Sequence, residues 1–204
     1  MARQGILVIL SGPSGTGKGT ICKELMQNYP NLHYSVSATT RSPRPGEVNG
    51  VNYWFVSEPE FRSMAANDEL LEWAEVYGRC YGTPVKYVKE QLQRGQDVIL
   101  EIDMQGAMQV KEKFPQGVFI FLVPPSIGEL ETRIHKRGTE TKDIINLRLS
   151  CVYKELSFIH QYQYVVVNDE VVAAVKKIAA IIEAEKCLVS RNQEIVEEIA
   201  GRQA

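Results

Sequence analysis

The feature that most constrains this chain is a glycine-rich segment with one lysine, Gly12-Pro13-Ser14-Gly15-Thr16-Gly17-Lys18. It follows a short apolar run and precedes a segment in which Ile21 and Leu25 share a helical face. A GxxxxGK segment between a strand and a helix predicts a phosphate-binding loop (P-loop), because its backbone N–H groups converge on one anion near the positive end of the helix dipole. We therefore expect the lysine to reach the β- and γ-phosphates of a nucleotide.

The residues after the lysine depart from the strict form of this motif. Gly19 stands where Ser or Thr is usual, and Thr20 follows one position later. Two interpretations of the metal site stay open: Thr20 assists the phosphates or the metal, or Mg²⁺ is held mainly by nucleotide oxygens and water. We expect no direct protein ligand to Mg²⁺.

Short apolar runs alternate with helical patterns along the chain, which predicts an α/β fold with a five-stranded parallel sheet flanked by helices. The expected strands are rich in β-branched or aromatic residues: Ile6–Leu10, Tyr34–Val36, Val98–Ile102, Val118–Val123 and Tyr164–Val167. Ser57 and Ser126 each precede a glutamate by three residues, a spacing typical of a helix N-terminus. A long helix is expected to begin near Thr141.

Residues 37–83 interrupt this alternation with a loop rich in Thr, Arg, Pro and Gly, one short helix and an aromatic-rich stretch. An insertion of this length in a compact domain is usually functional. Arg41 and Arg44 stand three residues apart in a loop stiffened by prolines, and an arginine offers a planar fork for bidentate contact with phosphate. The insertion therefore predicts a second anion site, separate from the P-loop.

Composition indicates a single globular domain. The chain has 204 residues and a net charge of −2, so no global attraction to nucleic acid or membranes is expected. The cysteines are scattered without metal-ligand spacing, which favours reduced thiols. Neither a secretory signal nor a run of about 20 apolar residues is visible, so we expect a cytoplasmic protein.

Four further segments decide between the enzyme classes that use a P-loop. A GTPase would need a base-recognition motif of the NKxD kind, and Asn168-Asp169 lacks its lysine and spacing. The run from Ser37 to Tyr53, the segments Glu72–Gly78 and Tyr81–Thr83, and Ile102–Gly106 together resemble guanylate kinases. The likeness covers nearly the whole chain.

This resemblance implies that ATP and GMP (with dGMP) are the substrates and that Mg²⁺ is the cofactor. It implies that ATP is bound by Gly12, Pro13, Ser14, Gly15, Thr16, Gly17, Lys18, Gly19 and Thr20. It also implies that the GMP phosphate is held by Ser37, Arg41, Arg44, Tyr53 and Tyr81, and that the guanine is read by Glu72, Thr83 and Asp103. A carboxylate suits guanine because it accepts hydrogen bonds from N1–H and the exocyclic amine together, a donor pair that adenine lacks.

The basic segment around residues 133–141 resembles the lid of nucleoside monophosphate kinases. The groups expected to act on the transferring phosphoryl group are Lys18, Arg41, Arg44, Arg133, Arg137, Arg148 and Asp103. Either Glu101 or Asp103 can influence Mg²⁺ indirectly, and Asp103 is favoured. The expected division is a P-loop kinase core (1–36, 84–125 and 150–204), a GMP-binding insertion (about 37–83) and a lid (about 126–149).

Two other interpretations of the same chain remain. One is a nucleoside monophosphate kinase with another base preference, against which Glu72 and the Arg41/Arg44 loop argue. The other is a binding module with the guanylate kinase fold that recognises phosphorylated peptides; such a module can dispense with the P-loop lysine and lid arginines, whereas this chain has Lys18, Arg137 and Arg148. The sequence does not decide between a monomer and a homo-oligomer.

Overall fold

The computed structural model describes residues 4–76, 78–136, 150 and 152–201. The strands are β1 (Leu7–Ser11), β2 (Leu32–Tyr34), β3 (Ala38–Thr39), β4 (Trp54–Phe55), β5 (Leu70–Val76), β6 (Arg79–Pro84), β7 (Asp97–Glu101), β8 (Val118–Val123) and β9 (Tyr164–Val167). The helices are α1 (Lys18–Asn28), α2 (Glu58–Ala66), α3 (Val85–Gln93), α4 (Met104–Lys113), α5 (Ile127–Lys136), α6 (Val171–Lys186) and α7 (Gln193–Gly201). Residues 152–156 are also helical and lead into a 3₁₀ turn, Ser157–Gln161.

The central sheet confirms the predicted fold class. Its five parallel strands lie in the order β2-β7-β1-β8-β9, so β1 occupies the middle. Val8 of β1 pairs with Ile99 on one side and Val118 on the other, and all three are fully buried. Helices cover both faces of such a sheet, which explains why its strands read as continuous apolar runs rather than as alternating patterns.

Three strand predictions missed the observed bounds: β1 and β7 each by one residue, and β2 by two. The second strand spans Leu32–Tyr34 rather than Tyr34–Val36, with Leu32 opposite Asp97 and Tyr34 opposite Ile99. Leu32 is buried and packs into the core below α1, whereas the chain leaves the sheet after Ser35 to enter the insertion. The prediction shifted the strand by two residues, which keeps the alternation of faces but misplaces the ends.

The insertion forms a second sheet that the sequence did not predict. Four strands lie in the order β4-β3-β6-β5, and β5 and β6 make an antiparallel hairpin. Helix α2 buries Phe61 against this sheet, where it meets Leu70 and the edge of the Trp73 ring. Gln109 of α4 bonds both backbone groups of Trp73, at 3.1 and 2.7 Å, and so joins the second sheet to the core.

Two helices begin after the predicted capping serines. The Ser57 hydroxyl accepts the N–H of Glu60 at 3.3 Å, and the Ser126 hydroxyl accepts the N–H of Glu129 at 3.1 Å. The expected start of the helix near Thr141, and with it most of the expected lid, lies outside the described residues. Within the described ranges, no helix combines the length and hydrophobicity required to cross a bilayer.

Candidate nucleotide-binding site

The P-loop connects β1 to α1 and is held in shape by its own side chains. The Lys18 ammonium donates to the carbonyl oxygens of Gly12 and Pro13, at 2.6 and 3.2 Å. The buried Thr16 hydroxyl donates to the Pro13 oxygen at 2.9 Å. Gly17 has φ of 92°, and a Cβ there would lie 2.6 Å from the Asn168 amide nitrogen, so glycine is required on two grounds. The loop therefore has the curled shape in which backbone N–H groups surround an anion.

Asn168 is a site residue to which we assigned no role from the sequence. It follows β9 directly, is 3% exposed, and donates from its amide to the Thr16 carbonyl at 2.7 Å. This contact ties the P-loop to the far edge of the central sheet. The available signal was its position after a buried strand, at the carboxyl edge where ligands of such sheets bind.

Arg133, the one predicted lid arginine within the described residues, is bonded to Glu129 in its own helix and to Asn168 beside the P-loop. Its guanidinium donates to Glu129 at 2.9 Å and to the Asn168 carbonyl at 3.1 Å. Because Asn168 also holds Thr16, two hydrogen-bonded steps connect α5 with the P-loop. Arg137 and Arg148 lie outside the described residues, and their roles stay predictions.

Three of the five residues predicted to hold a second phosphate lie together in the insertion. The Arg41 guanidinium is 5.3 Å from the centre of the Tyr53 ring, and the Tyr53 and Tyr81 rings meet edge to face at 6.0 Å. Phe55 lies under the same guanidinium at 5.7 Å. Such a cluster offers one cation and two phenolic hydroxyls to an anion. The other two lie on either side of β3: Ser37 directly precedes it, and Arg44 is exposed in the loop that follows it.

Glu47 orients this cluster, a role that we did not assign from the sequence. Its two carboxylate oxygens accept from the two terminal nitrogens of Arg41, each at 2.9 Å, and one also accepts the Arg44 N–H at 2.7 Å. The hydrogen bonds from Arg41 and from the Arg44 backbone lower the pKa of Glu47. A fork-to-fork pair of this kind fixes the plane of the guanidinium. The signal was a carboxylate six residues after Arg41 in a proline-stiffened loop.

The three residues predicted to read a base converge at the start of α4. Glu72 on β5 is 4% exposed, and its carboxylate accepts from the buried Thr83 hydroxyl of β6 at 2.7 Å. Asp103 caps α4 by accepting the Gly106 N–H at 2.8 Å, and the Glu72 carboxylate lies against that same glycine. Burial raises the pKa of Glu72 to about 7, and the charge of Asp103 adds to the rise, while the Thr83 hydroxyl opposes it.

A cleft of about 640 Å³ separates α1 from the insertion. Its walls are Gly19, Cys22, Lys23, Met26 and Gln27 of α1, Glu47, Val51, Asn52 and Tyr53 of the insertion, and Tyr34 and Glu101 of the core. Glu101 at the end of β7 accepts from the Tyr34 hydroxyl at 3.4 Å, and its carboxylate lies about 3.5 Å from where a Gly19 Cβ would be. Glu101 is thus the carboxylate beside the start of α1, whereas Asp103 lies at the start of α4, close to Glu72.

The oxygen-bearing side chains at this cleft indicate how Mg²⁺ could be bound. In the part of the chain that the structure describes, no three His, Cys, Asp or Glu side chains are grouped to hold an ion. Among the described residues, the oxygen donors near the start of α1 include the exposed Thr20 and the Glu101 carboxylate. Such a sparse set suits an Mg²⁺ ion that arrives with nucleotide phosphates and keeps most of its waters.

A P-loop at the centre of a five-stranded parallel sheet, with a second cationic cluster across a cleft, defines the class of P-loop nucleotide kinases. Comparison with known proteins identifies the family within this class. Residues 4–185 match the guanylate kinase family model. The guanylate kinase of Desulfitobacterium hafniense is 57% identical, over 92% of this chain and 94% of that protein. The guanylate kinase of Caldanaerobacter subterraneus is 56% identical, over 95% of this chain and 94% of that protein.

A solved structure agrees with these sequence relatives. The crystal structure of guanylate kinase from Anaplasma phagocytophilum superposes with a TM-score of 0.79 at 34% identity, covering 96% of this chain and 95% of that one. The chain therefore belongs to the guanylate kinase family.

Proposed function

We propose that this protein transfers the γ-phosphoryl group of ATP to GMP, and to dGMP, with Mg²⁺ as the cofactor. A phosphate oxygen of GMP forms the new bond to the γ-phosphorus, while the bond from that phosphorus to the β–γ bridging oxygen breaks and its electron pair leaves on ADP. No general base is needed, because a phosphate monoester with a second pKa of about 6 is largely dianionic at neutral pH. The products are GDP and ADP.

The observation that supports GMP as the phosphate acceptor is the buried Glu72 carboxylate. It is hydrogen-bonded to Thr83 on one side and faces the α4 end capped by Asp103. An ionised carboxylate here accepts two hydrogen bonds from guanine, and a purine without that donor pair leaves a buried charge unpaired. This asymmetry favours guanine over adenine far more than shape alone would.

The remaining residues act by position and charge. The P-loop and Lys18 hold the ATP phosphates, and Arg41, aligned by Glu47, holds the acceptor phosphate with Arg44, Tyr53 and Tyr81. Thr20 and Glu101 would help to hold Mg²⁺, which would supply neutralisation of the negative charge on the phosphates. Phosphoryl transfer depends mainly on such alignment and electrostatics.

We also propose that the insertion and the lid close over the bound substrates and exclude water. The Arg133–Asn168–Thr16 connection supports a lid that responds to the state of the P-loop. Small-angle scattering should then show compaction when a bisubstrate analogue is added, and an unchanged radius of gyration would overturn closure. We place the enzyme in the cytoplasm, which fits the free thiols of Cys22 and Cys80.

The deciding experiment measures ADP release with ATP and Mg²⁺ while GMP, AMP, UMP, CMP and dTMP are offered separately. We expect turnover with GMP alone, and dGMP is tested next. Turnover of another monophosphate would support the assignment to nucleotide kinases but would contradict a guanine-specific site. A folded, ATP-binding sample that is inactive with all five would favour the peptide-binding module instead.

A further inference from the structure

Gly106 brings the Glu72 carboxylate against the first turn of α4. A Cβ built on Gly106 would lie 2.3 Å from the Glu72 Oε2 and 3.0 Å from its carboxyl carbon, well inside van der Waals contact. Both residues are buried, and Glu72 is additionally bonded to Thr83. Any residue other than glycine would therefore force the carboxylate to move.

This contact does not arise from backbone conformation. Gly106 lies within α4, where its N–H donates to the capping Asp103. Its φ is not positive, so alanine would suit the backbone and would normally favour a helix. What demands glycine here is the space that the carboxylate occupies.

We propose that Gly106 is a specificity-determining positioning residue that sets where the base-reading carboxylate stands. This inference rests on the proposed function. The missing side chain lets Glu72 approach the positive end of the α4 dipole, which offsets part of the cost of burying an ionised carboxylate. Asp103 caps the same turn with one oxygen, so a single helix start organises both carboxylates. A methyl group at 106 would displace Glu72 from the guanine edge without touching the P-loop.

The test compares the Gly106→Ala variant with wild type in steady-state kinetics on GMP, IMP and ATP. IMP keeps the N1–H of guanine but lacks its exocyclic amine, so its use reports how well the carboxylate is placed. We expect the KM for GMP to rise about 10–100-fold, because hydrogen bonds to a charged group are weakened. The preference for GMP over IMP should fall, and the KM for ATP should stay within about twofold.

The matched control is Gly201→Ala in α7, another helical glycine, where an added Cβ meets nothing within 4 Å. Its kinetics should equal those of wild type. Equal kinetics for Gly106→Ala and Gly201→Ala, in an enzyme that phosphorylates GMP, would overturn the inference. A wild-type protein that does not phosphorylate GMP would instead overturn the proposed function. Failure of the inference about Gly106 and failure of the proposed function are therefore distinguishable.

A double-mutant cycle separates displacement of the carboxylate from a general structural effect. Glu72→Asp shortens the side chain by one methylene and withdraws it from α4. In that background the methyl group at 106 has space, so Gly106→Ala should change the KM for GMP less than about twofold. If Gly106→Ala alone fails to fold, the double variant should restore folding. An equal penalty in both backgrounds, or no restored folding, would contradict the role.

Discussion

Replacing Glu72 by Gln should stabilise the folded protein above pH 7 while it weakens GMP binding. Burial raises the pKa of Glu72 from 4.5 to about 7. At a pH well above 7 the ionised side chain therefore costs the folded state about 3 kcal/mol relative to an unfolded chain in water. Glutamine keeps the size of the side chain and an oxygen that accepts from Thr83, but it carries no charge to bury.

The sign of the effect follows from the direction of the pKa shift. Below pH 4.5 Glu72 is protonated in both folded and unfolded states, so its ionisation imposes no penalty. Between pH 4.5 and 7 the unfolded chain loses this proton first, and wild type loses stability relative to the variant. Above pH 7 the difference reaches its full value of about 3 kcal/mol, a sizeable part of a typical domain stability of roughly 5–15 kcal/mol.

The assay is urea denaturation of both proteins at pH 5, 6, 7 and 8, followed by tryptophan fluorescence. Glu75→Gln is the control, because Glu75 lies on the same strand but is exposed. Its difference from wild type sets the baseline for loss of a carboxylate. A Glu72→Gln difference that is the same at pH 5 and pH 8 would refute the reasoning, as would a variant less stable than wild type at pH 8.

Two further predictions concern the insertion. Phe61→Ala should lower the free energy of unfolding by about 3–5 kcal/mol, because a fully buried ring is lost from a small core. Urea denaturation measures this free energy, and a loss under about 1 kcal/mol would contradict the packing described for Phe61. Glu47→Gln should raise the KM for GMP about 3–10-fold, with that for ATP unchanged, because Arg41 loses its fixed plane. Glu58→Gln, which removes a carboxylate from an exposed ion pair, is its kinetic control, and equal KM values for the two variants would exclude the orienting role.

Local patterns in the sequence predicted much of the fold. The strand before the P-loop, the strand Val118–Val123 and the capping serines were predictable, because periodicity, β-branched content and capping chemistry act over a few residues. The P-loop was predictable for the same reason, since its glycines and lysine are contiguous. The ends of the second strand were not predictable, because pairing with Asp97–Ile99 selected them.

The second sheet shows the limit of local reasoning. Its strands β3 and β4 are two residues each, too short for any periodicity, and the hairpin β5–β6 was hidden in an aromatic-rich stretch. Pairing across the insertion created these strands, and residues far apart in the chain supplied the partners. Roles for Glu47 and Asn168 were missed for a similar reason, because their contacts depend on how loops meet in space.

What the sequence by itself determined was the chemistry available: a P-loop, a pair of loop arginines and carboxylates that resemble those of one kinase family. Only the tertiary structure decided how these groups face one another. It buried Glu72 beside Thr83 and against Gly106, and so raised the pKa of that carboxyl group. The physical reason is that desolvation, close contact and hydrogen-bond geometry depend on distances between residues of separate elements, which no local pattern of residue types specifies.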